Sequence, residues 1–255
     1  MSTPAPLPQP PLTWLEPGQD FPPLTLAWGE DSPAPGLLAA GGALDVTTLC
    51  QAYSQGIFPW FSPGQPILWW APHPRMVLDV ARFRVHRSFK KNLFQFQRSP
   101  DCEIRFDSAF EQVIRACAQG QRPGQRGTWI VPDMVDAYVA LHQAGFAHSV
   151  ETWVKGELVG GLYCVALGKA VFGESMFSRQ ANASKIALAA LVSWCRHNDV
   201  PSIDCQQNTE HLARLGAREM PRQNFLEQVR YNLHLSTPSW LFDPLYWQSL
   251  MPPDC

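Results

Sequence analysis

The spacing of hydrophobic and polar side chains follows two alternating periods from about residue 75 onward. Alternation at period two, or a short apolar run between turn residues, predicts strands over 75–80, 102–106, 147–154, 157–167, 170–175 and 202–206. Apolar residues that recur at helical spacing predict helices over 86–95, 107–119, 132–144, 182–198, 208–215 and 222–234. Asp107 and Asn182 are placed to cap the helices that follow them. The pattern predicts an α/β (α+β) fold with a mixed sheet flanked by helices.

Residues before 75 keep neither period for long. Residues 1–35 hold ten of the 24 Pro residues, and this composition predicts a flexible extension. Further along, Asp45 is placed to cap a helix that Gly56 would end. Residues 57–74 hold five Pro and three Trp. This rigid, irregular aromatic segment is predicted to serve either as core or as the wall of a binding site.

The composition excludes two classes of protein. Charged residues make up 16% of the chain and hydrophobic residues 45%, with ten Trp, whereas disordered chains are rich in charge and poor in aromatic residues. The longest apolar stretch, 186–194, is far shorter than the roughly 20 residues of a membrane-spanning helix. The first residues lack the basic and apolar regions of a secretory signal, and the seven Cys form no C-x-x-C pair. We therefore expect a cytoplasmic protein with reduced thiols.

Charge is unevenly distributed along the chain. Residues 1–74 contain five acidic residues and no Lys or Arg. Residues 80–126 contain ten basic and four acidic residues, in a protein of formal net charge −2. A locally basic surface is typical of proteins that bind phosphate groups. A solvated helical face fits the same charges equally well, so both interpretations stay open at this point.

Three well-known motifs begin in this chain but are incomplete. Gly173–Phe177 lacks the second Gly of a nucleophile elbow, and Gly168–Ala170 lacks the Ser or Thr of a P-loop. The segment 121–126 starts like a pyrophosphate-binding loop but ends in Arg instead of a small residue. None of the seven His has the spacing of a zinc site such as H-E-x-x-H. Covalent serine catalysis, nucleotide hydrolysis and metal catalysis are therefore disfavoured.

Polar side chains near the ends of two predicted strands are the candidate chemistry. Period two places Asp204 and Gln206 on one face of the strand 202–206. Glu174 lies between large apolar residues at the end of another strand. A buried carboxylate or amide is costly unless it is hydrogen-bonded. These residues are therefore either a structural hydrogen-bonded group or part of a site.

Eight short segments occur in an order that matches a known family. They are 56–64 (GIFPWFSPG), 67–75 (ILWWAPHPR), 127–130 (GTWI), 145–149 (GFAHS), 158–161 (LVGG), 173–179 (GESMFSR), 182–185 (NASK) and 203–206 (IDCQ). Together they closely resemble the leucyl/phenylalanyl-tRNA–protein transferase family of bacteria. The resemblance extends from about Gly36 to Leu233 and leaves out the Pro-rich extension and the C-terminal tail.

The resemblance implies a domain organisation and a reaction. The implied division is a flexible extension (1–35), a small N-terminal domain (36–74), a catalytic domain similar to GNAT acetyltransferases (75–234) and a tail (235–255). The implied reaction transfers Leu or Phe, less efficiently Met, from aminoacyl-tRNA to the N-terminal Arg or Lys of a protein. The product is marked for degradation by the N-end rule pathway. No metal or nucleotide cofactor is implied.

The expected roles of individual residues follow from this chemistry. Asp204 is expected to orient Gln206, whose amide oxygen would accept a hydrogen bond from the attacking amine, and Glu174 to bind the cationic N-terminus. The expected substrate-binding residues, which would line the donor pocket or stack on the terminal adenosine, are Trp60, Trp129, Leu162, Met176, Phe177 and Ile203. The expected tRNA contacts are Arg84, Arg87, Lys90 and Lys91.

Two alternative functions remain open at this stage. A GNAT-type acetyl-CoA N-acetyltransferase shares the implied fold, although the incomplete pyrophosphate loop at 121–126 argues against it. A non-catalytic RNA-binding module would explain the basic segment and the Trp residues. It would leave Glu174, Asp204 and Gln206 without a role.

Overall fold

The computed structural model of the protein describes residues 11–120 and 130–250. Its strands are β1 (Thr13–Leu15), β2 (Leu37–Gly41), β3 (Phe58–Pro59), β4 (Leu68–Trp70), β5 (Arg75–Asp79), β6 (Cys102–Phe106), β7 (Ala147–Val154), β8 (Glu157–Leu167), β9 (Ala170–Ser178), β10 (Ser202–Asp204) and β11 (Arg218–Met220). Its helices are α1 (Val46–Ser54), α2 (Arg87–Arg98), α3 (Phe110–Gln119), α4 (Pro132–Gln143), α5 (Ala183–His197), α6 (Glu210–Arg214) and α7 (Arg222–Leu233). Short 3₁₀ helices occupy Leu24–Leu26, Val80–Arg82 and Pro244–Ser249. No helix in these ranges is long and apolar enough to cross a membrane.

A small sheet with the strand order β1-β2-β4-β3 lies in the N-terminal part. β1 runs parallel to β2, and both β2 and β3 pair antiparallel with β4. As predicted, Asp45 caps α1 by accepting a hydrogen bond from N–H of Thr48 at 2.8 Å. Trp69 of β4 is fully buried and packs edge-on against Phe21. β1 and Phe21 belong to this packed unit although they lie within the segment predicted as a flexible extension.

A larger sheet with the order β11-β5-β10-β9-β8-β7-β6 forms the centre of the molecule. β10 is parallel to β9, and every other neighbouring pair in this order is antiparallel. Alternate residues of each strand point to opposite sides, so each face has its own hydrophobic cluster. Helices α1, α3, α4 and α7 pack on one side, called here the first face, and α2 and α5 pack on the second face. This architecture confirms the predicted mixed sheet flanked by helices.

The predicted bounds of β6, β7 and β8 are confirmed, whereas the strand predicted over 202–206 is shorter. β10 ends at Asp204, and Gln206 has a φ of 54°, in the left-handed region. Extended backbone therefore stops before Gln206. The expectation that Asp204 and Gln206 share one strand face is wrong, because the chain turns between them.

The two predicted caps of later helices have different outcomes. Asn182 occupies the N-cap position of α5, without a side-chain capping hydrogen bond. Asp107 does not cap α3, whose N-cap residue is Ala109. Its carboxylate instead accepts a hydrogen bond from N–H of Ser149 at 2.8 Å, which ties the start of α3 to β7. The prediction for Asp107 is wrong because this contact to a neighbouring strand replaces the local one.

The residues after α7 pack against the second face. The ring of Trp240 stacks on Trp194 of α5 and on His148 of β7, with centroids 4.1 and 3.9 Å away. Nε1 of Trp194 also donates a hydrogen bond to the backbone oxygen of Ser239 at 3.0 Å. The part of the predicted tail up to residue 250 is thus attached to the core.

Candidate active site

Glu174 lies at an irregularity in the pairing of β8 with β9. Tyr163 pairs with Ser175 and Cys164 pairs with Gly173, which leaves Glu174 as an extra residue in β9. A β-bulge of this kind redirects a side chain from the regular alternation and is common beside active sites. The bulge brings the carboxyl group of Glu174 toward α1 and α4 on the first face.

Two buried tyrosines lie beside the carboxyl group of Glu174. Tyr53 of α1 and Tyr138 of α4 are fully buried, and their hydroxyl groups are hydrogen-bonded to each other. The hydroxyl group of Tyr138 also donates to Oε2 of Glu174 at 3.4 Å. Burial raises the pKa of Glu174 to about 8, against the lowering effect of hydrogen bonds from both tyrosines. The carboxyl group is therefore mostly protonated at neutral pH.

Gln206 reaches Glu174 from the turn that follows β10. Its side-chain Nε2 donates to Oε1 of Glu174 at 3.3 Å. Its backbone oxygen accepts a hydrogen bond from N–H of Met76 at 3.2 Å, which fixes the turn against β5. Within residues 11–120 and 130–250, no hydrogen bond is found to the side-chain oxygen of Gln206. This oxygen can accept a hydrogen bond from a substrate.

Asp204 is buried and forms an ion pair with Arg75. Nε and Nη2 of Arg75 donate to the two carboxylate oxygens of Asp204 at 2.8 and 2.6 Å. Oδ1 of Asp204 also accepts a hydrogen bond from the backbone N–H of Gln206 at 3.0 Å. Asp204 thus contacts the backbone of Gln206, whereas Glu174 contacts its side-chain amide.

The four apolar residues expected in the donor pocket lie on both faces of the sheet. Phe177 is buried in the cluster of the first face, as are Tyr53 and Tyr138. Leu162 and Ile203 are buried in the cluster of the second face, and Met176 packs against that cluster. Leu162, Met176 and Ile203 can therefore line one pocket, whereas Phe177 lies on the opposite face of the sheet. Their role in binding a donor side chain stays a prediction.

Of the two tryptophans expected near the terminal adenosine, the structure describes Trp60. Trp60 is half-buried, and its ring centroid lies 5.4 Å from that of Trp70 in a tilted arrangement. Nε1 of Trp70 donates to the backbone oxygen of Trp60 at 2.6 Å, which fixes this pair. Trp129 lies outside the described residues, as does the segment 121–126.

All four residues expected to contact tRNA are exposed. Arg84 precedes α2, and Arg87, Lys90 and Lys91 lie on that helix. The opposite side of α2 buries apolar side chains, including Phe89, against the second face. Among the described residues none of the four basic side chains has an ion-pair partner. They form a positively charged surface.

Three residues of this site are absent from the sequence-based prediction. Tyr53 and Tyr138 lie on apolar faces of their helices, where the pattern makes them resemble core residues. Arg75 stands directly before the apolar run of β5. An Arg directly beside a run of apolar strand residues is the signal that could have identified it, because an Arg is rarely fully buried unless it is paired.

Two family models match the chain over regions that contain most residues of this site. The model described as leucyl/phenylalanyl-tRNA protein transferase matches residues 77–230, and that of its N-terminal domain matches residues 42–73. A leucyl/phenylalanyl-tRNA–protein transferase from Albidiferax ferrireducens is 67% identical over 245 residues, covering 96% of each chain. A protein of the same name from a Polaromonas species is 63% identical over 241 residues, covering 94% of each chain.

The solved structures are more distant than these relatives. An aminoglycoside N-acetyltransferase in complex with CoA aligns with 57% of this chain and 95% of its own, at 18% identity and a TM-score of 0.31. A structural similarity of that size does not assign a family. The sequence matches assign one, because the larger family model spans more than half of the chain and the relatives span nearly all of it. The chain therefore belongs to the leucyl/phenylalanyl-tRNA protein transferase family of aminoacyltransferases.

Proposed function

We propose that the protein transfers Leu or Phe, and less efficiently Met, from aminoacyl-tRNA to the N-terminal Arg or Lys of a protein. The transfer takes place in the cytoplasm and marks the product for the N-end rule pathway. The observation that carries the proposal is the carboxyl group of Glu174. Within the described part of the chain it has no ion-pair partner, and it contacts the amide of Gln206. Family membership favours this reaction over acetyl transfer and over RNA binding without catalysis.

Glu174 is the acidic group that binds the cationic N-terminus of the acceptor. Asp204 is less suited to this role, because both of its carboxylate oxygens already bind Arg75. A cation beside Glu174 favours the ionised carboxylate, so binding of the acceptor displaces the proton that burial retains. The resulting charge-assisted hydrogen bonds are stronger than neutral ones. A peptide that begins with an uncharged side chain lacks part of this interaction.

The chemical step needs positioning more than strong acid–base catalysis. The aminoacyl ester is already activated, and an α-amino group with a pKa of about 7.7–8.0 is partly neutral at cellular pH. The side-chain oxygen of Gln206 accepts a hydrogen bond from this amine and directs its lone pair at the ester carbonyl. The new C–N bond forms as the ester C–O bond breaks, and the proton lost by the amine ends on the ribose oxygen that leaves. Such positioning can contribute roughly 7–11 kcal/mol.

The donor is bound by apolar, aromatic and basic groups. In this proposal Leu162, Met176 and Ile203, which lie together on the second face, line the pocket for the donor side chain, and Phe177 on the first face does not. Size selection in an apolar pocket provides only about 1–3 kcal/mol of discrimination, which is consistent with the acceptance of Leu, Phe and Met.

The rest of the tRNA is bound by two groups of side chains. Trp60 and Trp129 stack on the terminal adenosine, an interaction of about 1–3 kcal/mol per base. The positive surface of α2 and the preceding Arg84 contacts the phosphates.

A transfer assay tests the proposal. The protein is incubated with Phe-tRNA carrying a labelled Phe and with three peptides that differ only in beginning with Arg, Lys or Ala. We expect label on the first two peptides and not on the third. An N-terminally acetylated Arg peptide is the matched control and should take no label, because its α-amine is blocked. Equal labelling of the Ala peptide, or no labelling of any peptide, contradicts the proposal.

A further inference from the structure

Arg75 is a fully buried guanidinium group whose contacts come from several parts of the chain. Beyond its two hydrogen bonds to Asp204, its Nη1 donates to the backbone oxygen of Gly56 at 3.0 Å. The centre of the guanidinium group lies 4.9 Å from the ring centroid of Phe58 and 4.7 Å from that of Phe225. Cation–π contacts of this kind add to the hydrogen bonds that hold the planar group in place. Arg75 is therefore fixed in position and in orientation.

The same guanidinium group is linked to Gln206 through a single residue, Asp204. It holds both oxygens of Asp204, and one of those oxygens accepts the backbone N–H of Gln206. The next residue of β5, Met76, donates its N–H to the backbone oxygen of Gln206 at 3.2 Å. The left-handed turn at Gln206 is thus held at its backbone oxygen by Met76 and at its backbone N–H by Asp204, which Arg75 holds in turn.

Stability alone is a weak reason for such an ion pair. Buried pairs lose hydration, and replacing them with apolar groups of similar volume is often neutral or stabilising. A directional role is a better explanation, since the bidentate fork fixes the carboxylate plane in a way that a point charge does not. The carboxylate plane in turn fixes where the backbone N–H of Gln206 lies.

We infer that Arg75 is a positioning residue for aminoacyl transfer, which acts through Asp204 on the turn at Gln206 and so sets the direction of the acceptor oxygen. The inference rests on the proposed function. Arg75 also holds Gly56, which ends the segment carrying α1 and Tyr53. The two sides of the site are thereby fixed relative to each other by one side chain.

The test compares four variants by single-turnover transfer from saturating Phe-tRNA to an Arg peptide, with rates normalised to folded protein. Arg75→Met should lower the rate about 100-fold, the typical cost of misplacing a reacting group by about 1 Å. Arg75→Lys keeps the charge but not the fork, and its loss should be about 10-fold. Asp204→Asn should lower the rate as much as Arg75→Met does. The double variant Arg75→Met/Asp204→Asn should be no slower than Asp204→Asn, because both changes break one connected unit.

A comparison of binding with rate separates positioning from a merely structural role. Arg75 is fully buried, so it does not contact either substrate directly. Arg75→Met should therefore keep the wild-type affinity for Phe-tRNA and for the Arg peptide while its single-turnover rate falls, and Arg75→Lys should restore part of that rate. Arg222→Met is the matched control, since Arg222 is half-buried and donates to the backbone oxygen of Leu24 at 3.0 Å without contacting Asp204. It should lose stability but keep the wild-type rate per folded molecule.

The outcomes distinguish this inference from the proposed function. If wild-type protein transfers no label, the proposed function fails. If wild-type protein transfers label but the losses of Arg75→Met and Asp204→Asn multiply in the double variant, Arg75 does not act through Asp204. A normal rate for folded Arg75→Met also overturns the inference. If Arg75→Met does not fold, the rates of the double variant and of Arg75→Lys test the inference instead. Neither of these variants leaves a buried carboxylate without a cation or polar partner.

Discussion

Binding of the acceptor should be coupled to the ionisation of Glu174. The half-buried carboxyl group, with its pKa raised to about 8, is mostly neutral before the acceptor binds. The acceptor brings a guanidinium or ammonium group, which interacts strongly only with the ionised form. We therefore expect the affinity for an Arg peptide to rise with pH until Glu174 is fully ionised. The substitution Glu174→Gln should remove the part of this dependence that comes from the carboxyl group, since an amide does not titrate.

The size of the effect follows from the ionised fraction of Glu174. With a pKa of about 8, this fraction is roughly one in a hundred at about pH 6, one in ten at about pH 7 and one half at about pH 8. The affinity should therefore rise about 50-fold between about pH 6 and about pH 8, and less than about two-fold above that. The peptide guanidinium stays charged throughout this range. At neutral pH Glu174 should release nearly one proton for each peptide bound.

Two measurements on the tRNA-free protein test this coupling. Fluorescence anisotropy of a labelled Arg peptide gives the dissociation constant across the pH range, and titration calorimetry in two buffers of different ionisation enthalpy counts the protons released. Glu174→Gln is the matched control: it should bind weakly and release nearly one proton fewer than the wild-type protein at neutral pH, because the α-amine of the peptide is the same with both proteins. An affinity of the wild-type protein that is flat between about pH 6 and about pH 8 would contradict the coupling, as would proton release in Glu174→Gln as large as in the wild-type protein.

Three other predictions concern stability and tRNA binding. The pKa of Glu174 is raised in the folded protein, so its contribution to stability is complete below about pH 4.5 and is lost as pH rises through about 8. The melting temperature of Glu174→Gln should therefore rise relative to that of the wild-type protein as pH increases between about 4.5 and about 8. Lys90→Ala/Lys91→Ala should weaken tRNA binding and lower the slope of log affinity against log salt by about 1–2, as measured by filter binding; an unchanged slope would place the phosphate contacts elsewhere. Trp240→Ala should destabilise the fold by about 2–4 kcal/mol in urea unfolding, because it removes two stacked contacts; a loss below about 0.5 kcal/mol would mean that the C-terminal segment is not attached in solution.

The central strands were predictable because their pattern is strong and their boundaries are marked. β7, β8 and β9 are consecutive, and Lys155-Gly156 and Gly168-Lys169 separate them at tight turns. The small sheet carries no such signal. β1, β3 and β4 are two or three residues long and lie among Pro and Trp residues, so neither period repeats often enough to be detected. Short strands of this kind depend on tertiary pairing more than on local preference.

The candidate site was predictable in its acidic and amide residues but not in its geometry. Glu174 and Gln206 stand out because a carboxylate or amide beside an apolar strand is costly to bury unless it is hydrogen-bonded. Their contact depends on a β-bulge and on a left-handed turn, and neither follows from period-two alternation. Tyr138 and Arg75 are fully buried, so the sequence places them with the core. Which buried polar groups meet is decided by packing between distant segments.

In the proposed reaction, Gln206 guides the attacking amine to the ester carbonyl. The most direct measurement is single-turnover transfer by Gln206→Ala with Phe-tRNA already bound, compared with Lys90→Ala/Lys91→Ala. We predict that Gln206→Ala binds Phe-tRNA with wild-type affinity and transfers Phe about 100-fold more slowly, whereas the Lys variant binds weakly and transfers at the wild-type rate once saturated. A wild-type single-turnover rate in Gln206→Ala would contradict this role of Gln206.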